Sequence, residues 1–167
     1  MLRTVLYVLV GFLLFSSNPA AAQSAKSIVG SWAVTSALIT DAAGNKSDTF
    51  GPEPQGLMIF TADGRYSLII MRGDLPPIAA NSRLKGTPEE YRAIVTGSNA
   101  HFGTYSVDEK AGAIIFNVER ATFPNWNGKS QTRPFSVQGD ELRYQVPAPS
   151  TGSGRAELVW KRLKPAQ

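Results

Sequence analysis

The chain has 167 residues, with 17 Lys and Arg against 13 Asp and Glu, a formal net charge of +4, one histidine and no cysteine. Thiol chemistry, disulfides and cysteine-based zinc sites are therefore excluded, and the basic residues are spread along the chain rather than gathered into the patch or stripe that a nucleic-acid surface needs. Met1-Leu2-Arg3 is a short basic start, Val5 to Phe15 is an unbroken apolar run, and Ala20-Ala21-Ala22 supplies small residues before Gln23. This is the layout of a secretory signal peptide, expected to be cleaved after Ala22. The run falls short of the ~20 residues a membrane-spanning helix needs, so no stable membrane insertion is expected after cleavage. An exported protein, periplasmic or secreted, is the expectation, with residues 23–167 forming a single domain.

Ile28 to Thr40 reads as a long first strand, with a bend expected at Gly30. Asp41 to Gln55 is a long polar connection, either solvated or a lid. Gly56 to Arg72 reads as a hairpin turning at Asp63-Gly64. A two-residue type I′ turn is expected there, pairing Ile59 with Leu68 and Phe60 with Ser67. Both faces of that hairpin carry apolar groups, so it is expected to be covered on more than one side. Gly73 to Gly86 is irregular. Thr87-Pro88-Glu89-Glu90 carries a capping box with proline at the first helical position, so a short helix begins there and ends near Gly97 to Asn99. Ala100 to Val107, Ala113 to Arg120, Ser130 to Val137, Glu141 to Val146 and Arg155 to Leu163 complete the strands, mostly through short turns. The sum is an all-β chain of eight antiparallel strands with one short helix. An up-and-down barrel removes the exposed edges that an open sheet would leave; a two-sheet sandwich is the alternative.

Several segments resemble the bacterial and fungal lipocalin-like domain family. They are Ile28-Val29-Gly30-Ser31-Trp32, the run from Gly56 through Asp63-Gly64-Arg65, Thr87-Pro88-Glu89-Glu90, Phe102-Gly103-Thr104-Tyr105, Val118-Glu119, Phe123-Pro124-Asn125-Trp126 and Leu158-Val159-Trp160. The resemblance runs from about Ile28 to Leu163. It implies a calycin-type barrel and no particular activity. It also implies that Trp32 closes the barrel bottom with Arg162 stacked upon it. The family usually has His where this chain has Asn117.

No complete catalytic or metal-binding motif is present. Glu119, Tyr105 and His101 are the candidates for a lone acid–base group, and His101 is the one residue that offers an axial ligand to a haem. No cofactor and no metal are expected. An isomerase or cyclase using the barrel pocket, and a filled barrel serving a structural or interaction role, are the alternatives to a binder. The leading expectation is a small hydrophobic or amphipathic ligand held inside the barrel, with no nucleic-acid partner. Tyr66, Leu68, Phe102, Tyr105, Phe123, Trp126 and Phe135 are the apolar and aromatic candidates for its lining, with Asn117, Glu119 and Arg133 as polar ones. Two arrangements of the fifth strand are open. Asn117 and Glu119 face inward, where Glu119 pairs with Arg133, or Phe116 and Val118 face inward and Glu119 meets solvent. A negative group on the ligand would find its partner in Arg133. Phe123-Pro124-Asn125-Trp126 is a stiff aromatic loop, expected either to close one barrel end or to wall the entrance.

Overall fold

The computed structural model describes residues 23–150, 152 and 154–165. The signal-peptide segment expected over residues 1–22 lies outside the described residues. A single turn of helix, α1 (Ala25–Ile28), leads into nine strands: β1 (Gly30–Thr40), β2 (Lys46–Asp48), β3 (Gln55–Phe60), β4 (Arg65–Met71), β5 (Ser98–Asp108), β6 (Ala113–Ala121), β7 (Ser130–Gln138), β8 (Glu141–Val146) and β9 (Arg155–Arg162). Helix α2 (Pro88–Gly97) stands between β4 and β5. Each strand from β3 to β9 pairs antiparallel with the next, and β1 pairs with both β3 and β9. Eight strands thus close an up-and-down barrel. The ninth, β2, pairs with the end of β1 (Leu38 with Asp48, Thr40 with Lys46).

That extra strand comes from the connection read above as one long loop. Asp41 turns the chain by accepting hydrogen bonds from the backbone N–H groups of Ala43 and Asn45, both at 2.9 Å. Phe50 then returns to the barrel and is buried, so part of this connection is core.

The hairpin of β3 and β4 departs from the expected register by one residue. Thr61 N–H donates to the Arg65 carbonyl at 2.9 Å, and Gly64 takes φ +85°. Three residues, Ala62 to Gly64, therefore form the loop, with glycine in the left-handed position that such a bulged turn requires. Phe60 pairs with Tyr66 and Met58 with Leu68. Because side chains alternate, the shift gathers Met58, Phe60, Tyr66, Leu68 and Ile70 on the inner face, all buried. Leu57 and Ile69 turn outward, Ile69 being 42% exposed, so the hairpin is covered on one side only. Tyr105 holds the turn in place through its O–H, which donates to the Thr61 carbonyl at 2.8 Å.

Helix α2 begins as its sequence dictates. Thr87 Oγ1 accepts from Glu90 N–H at 3.2 Å, and the Glu90 carboxylate accepts from Thr87 N–H at 2.8 Å and from Ala79 N–H at 2.9 Å. These backbone donors hold the Glu90 carboxyl below its ordinary range. The carboxylate thereby ties the preceding irregular segment to the helix start.

One end of the barrel is filled. Trp32 and Trp160 are fully buried there, and the Arg162 guanidinium lies 4.0 Å from the centroid of the Trp32 ring. Arg162 donates to the carbonyls of Val29 (2.7 Å) and Ser27 (2.6 Å), so one side chain satisfies the end of α1 and covers the indole. The bend at Gly30 (φ +127°) brings the backbone up to this group; a Cβ there would meet Arg162 Nη1 at 3.0 Å. Above the plug, edge-to-face contacts link Phe60 with Tyr105 (4.8 Å) and Tyr66 with Phe116 (4.7 Å). These rings form a floor across the barrel.

Candidate functional site

Beyond that floor the barrel is hollow. A cavity of about 560 Å³ opens at the end opposite Trp32. Its walls are mostly apolar, with Ala37 from β1, Leu68 and Ile70 from β4, Val146 from β8, and Ala156 and Leu158 from β9, and Thr49, Ser98, Asn99 and Thr122 among the polar residues that also line it. The rim is assembled from connections, with Phe50 on one side, Ile94 and Val95 of α2 on another, and Phe123 and Trp126 on a third. Pro124–Trp126 form a single 3-10 turn between β6 and β7, which packs the two aromatic rings edge to face at 5.5 Å. Phe123 remains partly exposed, as expected of a wall that borders both cavity and solvent.

At the inner end of the cavity four polar side chains converge from four strands: Tyr66 on β4, His101 on β5, Arg133 on β7 and Tyr144 on β8. Strand alternation aims His101 inward, on the same face as Tyr105. Between Phe102 and Gly103 the pairing of β5 with β6 slips by one residue. A Cβ at Gly103 would stand 2.0 Å from the Asn117 carbonyl oxygen, so only glycine permits this close approach. The slip leaves Glu119 of β6 as the extra residue, while β5 alternates without a break, with His101, Gly103 and Tyr105 inside and Phe102 outside.

The Tyr66 hydroxyl and His101 Nδ1 are 2.8 Å apart. Burial, reinforced by the nearby Arg133 charge, pushes the His101 pKa down to about 4, so the ring is neutral at ordinary pH. Burial raises the Tyr66 and Tyr144 hydroxyls well above their usual range, and both stay protonated. Arg133 is 9% exposed and donates to Gln131 Oε1 on its own strand. Burial works against its charge, while Tyr144 and Tyr66 favour it.

The structure brings together Tyr66, Leu68, Phe123, Trp126 and Arg133 of the residues expected at the ligand, with Tyr66 just beneath the surface of the cavity as the partner of His101. Tyr105 and Phe135 also face inward but are spent in the filled part of the barrel. Phe102, Asn117 and Glu119 do not belong to the cavity. Phe102 is 47% exposed; Asn117 accepts from the Ser130 hydroxyl at 2.7 Å; Glu119 meets Arg65 at 3.4 Å on the outer surface. Phe116 and Val118 are buried instead, so the inward Glu119–Arg133 pair does not form. The reason is burial: β6 gains far more by enclosing Phe116, Val118 and Ile114 than by enclosing a carboxylate. Tyr144, Phe50 and Leu158 are lining residues that the sequence did not single out, whereas Phe116 lies inside as one of the two arrangements of its strand required. For Tyr144 a signal existed, since Leu142, Tyr144 and Val146 alternate with Glu141, Arg143 and Gln145. Among the described residues no three His, Cys, Asp or Glu side chains are grouped to hold a metal ion.

A closed antiparallel barrel, plugged by a Trp–Arg pair at one end and hollow at the other, is a barrel of the lipocalin type. The lipocalin-like domain family matches residues 29–163, and the chain belongs to that family. It is also similar to a protein of Aspergillus oryzae (strain ATCC 42149 / RIB 40) named 4'-hydroxy-3'-methoxypropiophenone carrier protein ppsC, with 30% identity over 103 residues, 56% of this chain and 93% of that one.

Proposed function

We propose that this protein is a carrier that holds a small, hydrophobic or amphipathic aromatic molecule in the barrel, and that it does so after export. The observation that carries the reading is the cavity itself: about 560 Å³, mostly apolar in its walls, with a few convergent polar groups at its inner end. The related carrier's name supplies a fitting class of cargo, a phenol bearing an acyl chain. A filled barrel in a purely structural role would leave no such space. The isomerase or cyclase reading has less support, because the Tyr66–His101 pair is neutral on both sides and no carboxylate lines the cavity among the described residues.

Trp126 provides the test. It borders the cavity, whereas Trp32 and Trp160 are fully buried in the plug. Titration with a panel of aromatic ketones, phenols and fatty acids should change tryptophan fluorescence saturably for at least one of them. Trp126→Ala should weaken that binding by about tenfold while stability changes by no more than about 1 kcal/mol, since the turn it sits on buries none of its residues. A large drop in melting temperature with unchanged affinity would make Phe123 and Trp126 a structural clasp instead.

A further inference from the structure

Arg133 is a buried charge without a counter-charge. Among the described residues no carboxylate forms a salt bridge with it. Its side-chain partner, Gln131, is neutral and occupies one of five N–H donors. The groups facing it from neighbouring elements are Tyr66 of β4, His101 of β5 and Tyr144 of β8, all neutral at ordinary pH. The carboxylate on β6, Glu119, points outward to Arg65. A guanidinium largely shielded from bulk solvent, on a cavity wall and with most of its donors unmatched by protein acceptors, favours a partner that brings acceptor oxygens.

His101 adds to the same demand. The Arg133 charge favours a Tyr66 hydroxyl whose proton points away from it, which selects the tautomer in which His101 Nδ1 accepts from the Tyr66 O–H. In the neutral ring the remaining proton then sits on Nε2, which has no hydrogen-bond partner among the described residues. The inner end of the cavity therefore offers a cation and a second N–H donor, and no carboxylate to repel an anion.

We propose that the cavity takes its ligand as an anion: an aromatic molecule whose ionised oxygen, phenolate or carboxylate, docks on Arg133, with His101 Nε2–H as the second donor. This rests on the carrier reading above and specifies the cargo's charge state. It has a sharp consequence. An apolar cavity alone raises the pKa of a bound phenol, because it disfavours the charged form; a cavity holding an unpaired guanidinium lowers it.

The experiment uses 4'-hydroxy-3'-methoxypropiophenone, its phenol O-methyl ether, and the analogue with a carboxyl group in place of the phenol hydroxyl. On binding to the wild-type protein, the pH at which the phenol ionises, followed by phenolate absorbance, should fall by about one unit or more, a tenfold preference for the anion. The methyl ether, which cannot ionise, should bind at least about tenfold more weakly. Arg133→Gln should abolish both differences, and Arg133→Lys should keep part of the ionisation shift; if Arg133→Gln does not fold, the wild-type comparison of phenol, ether and acid decides alone. Tighter binding of the carboxyl analogue than of the phenol supports the anion and assigns it to a carboxylate, the reverse order to a phenolate. Equal affinity for phenol and ether, with no downward shift, overturns the anion proposal and leaves the carrier reading standing. Absence of saturable binding by these probes and by the wider panel overturns both.

Discussion

Trp32→Ala is expected to destabilise the protein by about 3–5 kcal/mol, the range for deleting a fully buried large aromatic. Three losses coincide at this position. The indole is fully buried, its Nε1–H donates to the Ile28 carbonyl at 2.8 Å, and its face supports the Arg162 guanidinium at 4.0 Å. Removing the ring leaves a void at the barrel bottom and an unpaired carbonyl at the end of α1. It also leaves Arg162 held only by the carbonyls of Ser27 and Val29 and the more distant Asp140 carboxylate at 3.8 Å. For a domain of this size the melting temperature should drop by roughly 10 °C. Trp32→Phe should lose less, because it keeps most of the ring while forfeiting the N–H. A Trp32→Ala protein that melts like the wild type would show that the plug is not what holds this end of the barrel shut.

Mild acid should destabilise the unliganded protein through His101. In the unfolded chain this histidine titrates near its ordinary value of 6.5; in the fold its pKa is held to about 4. Between those values the unfolded state binds a proton that the folded state refuses, so stability falls as pH falls. The loss begins near pH 6.5 and is complete once the pH has passed the folded value, and it amounts in full to roughly 3 kcal/mol. The carboxyl groups of Asp41, Asp63, Asp74 and Glu90 are also held low and act in the same direction, but each titrates below its own ordinary carboxylate value. Urea denaturation at pH 7 and pH 5 therefore isolates the histidine. The wild type should lose about 2 kcal/mol between these values, and His101→Gln, which cannot take up the proton, should lose much less. An equal loss in both proteins would remove His101 from the account of acid sensitivity.

Much of the barrel was legible from residues alone. Strand count and antiparallel order follow from short apolar runs separated by turn residues, and the start of α2 from its capping box. The Trp32–Arg162 plug was implied by the family resemblance. What was not legible depends on single-residue offsets. Asp63-Gly64 signals a hairpin, yet it does not say whether the loop has two residues or three; the third is fixed by Thr61 bonding across to Arg65 and by Tyr105 reaching the Thr61 carbonyl. On β5 plain alternation sets His101 on the face of Tyr105 and Phe102 on the other, so what decides His101 is which face the closed barrel encloses. Strand periodicity allowed either face of β6 to be inside, and only the closure of the barrel placed Glu119 in solvent and left Arg133 unpaired. The rim residue Phe50 sits in a connection rich in polar and turn residues, where no periodicity marks it.

The central claim, that the hollow end of this barrel is a ligand site, is met most directly by methyl NMR of the wild-type protein titrated with the aromatic probe panel. The account predicts saturable shifts at Leu68, Ile70 and Leu158, which line the cavity, and none at Leu57 or Ile69 on the outer face. Shifts confined to the outer methyls, or no saturable shift with any probe, would contradict it.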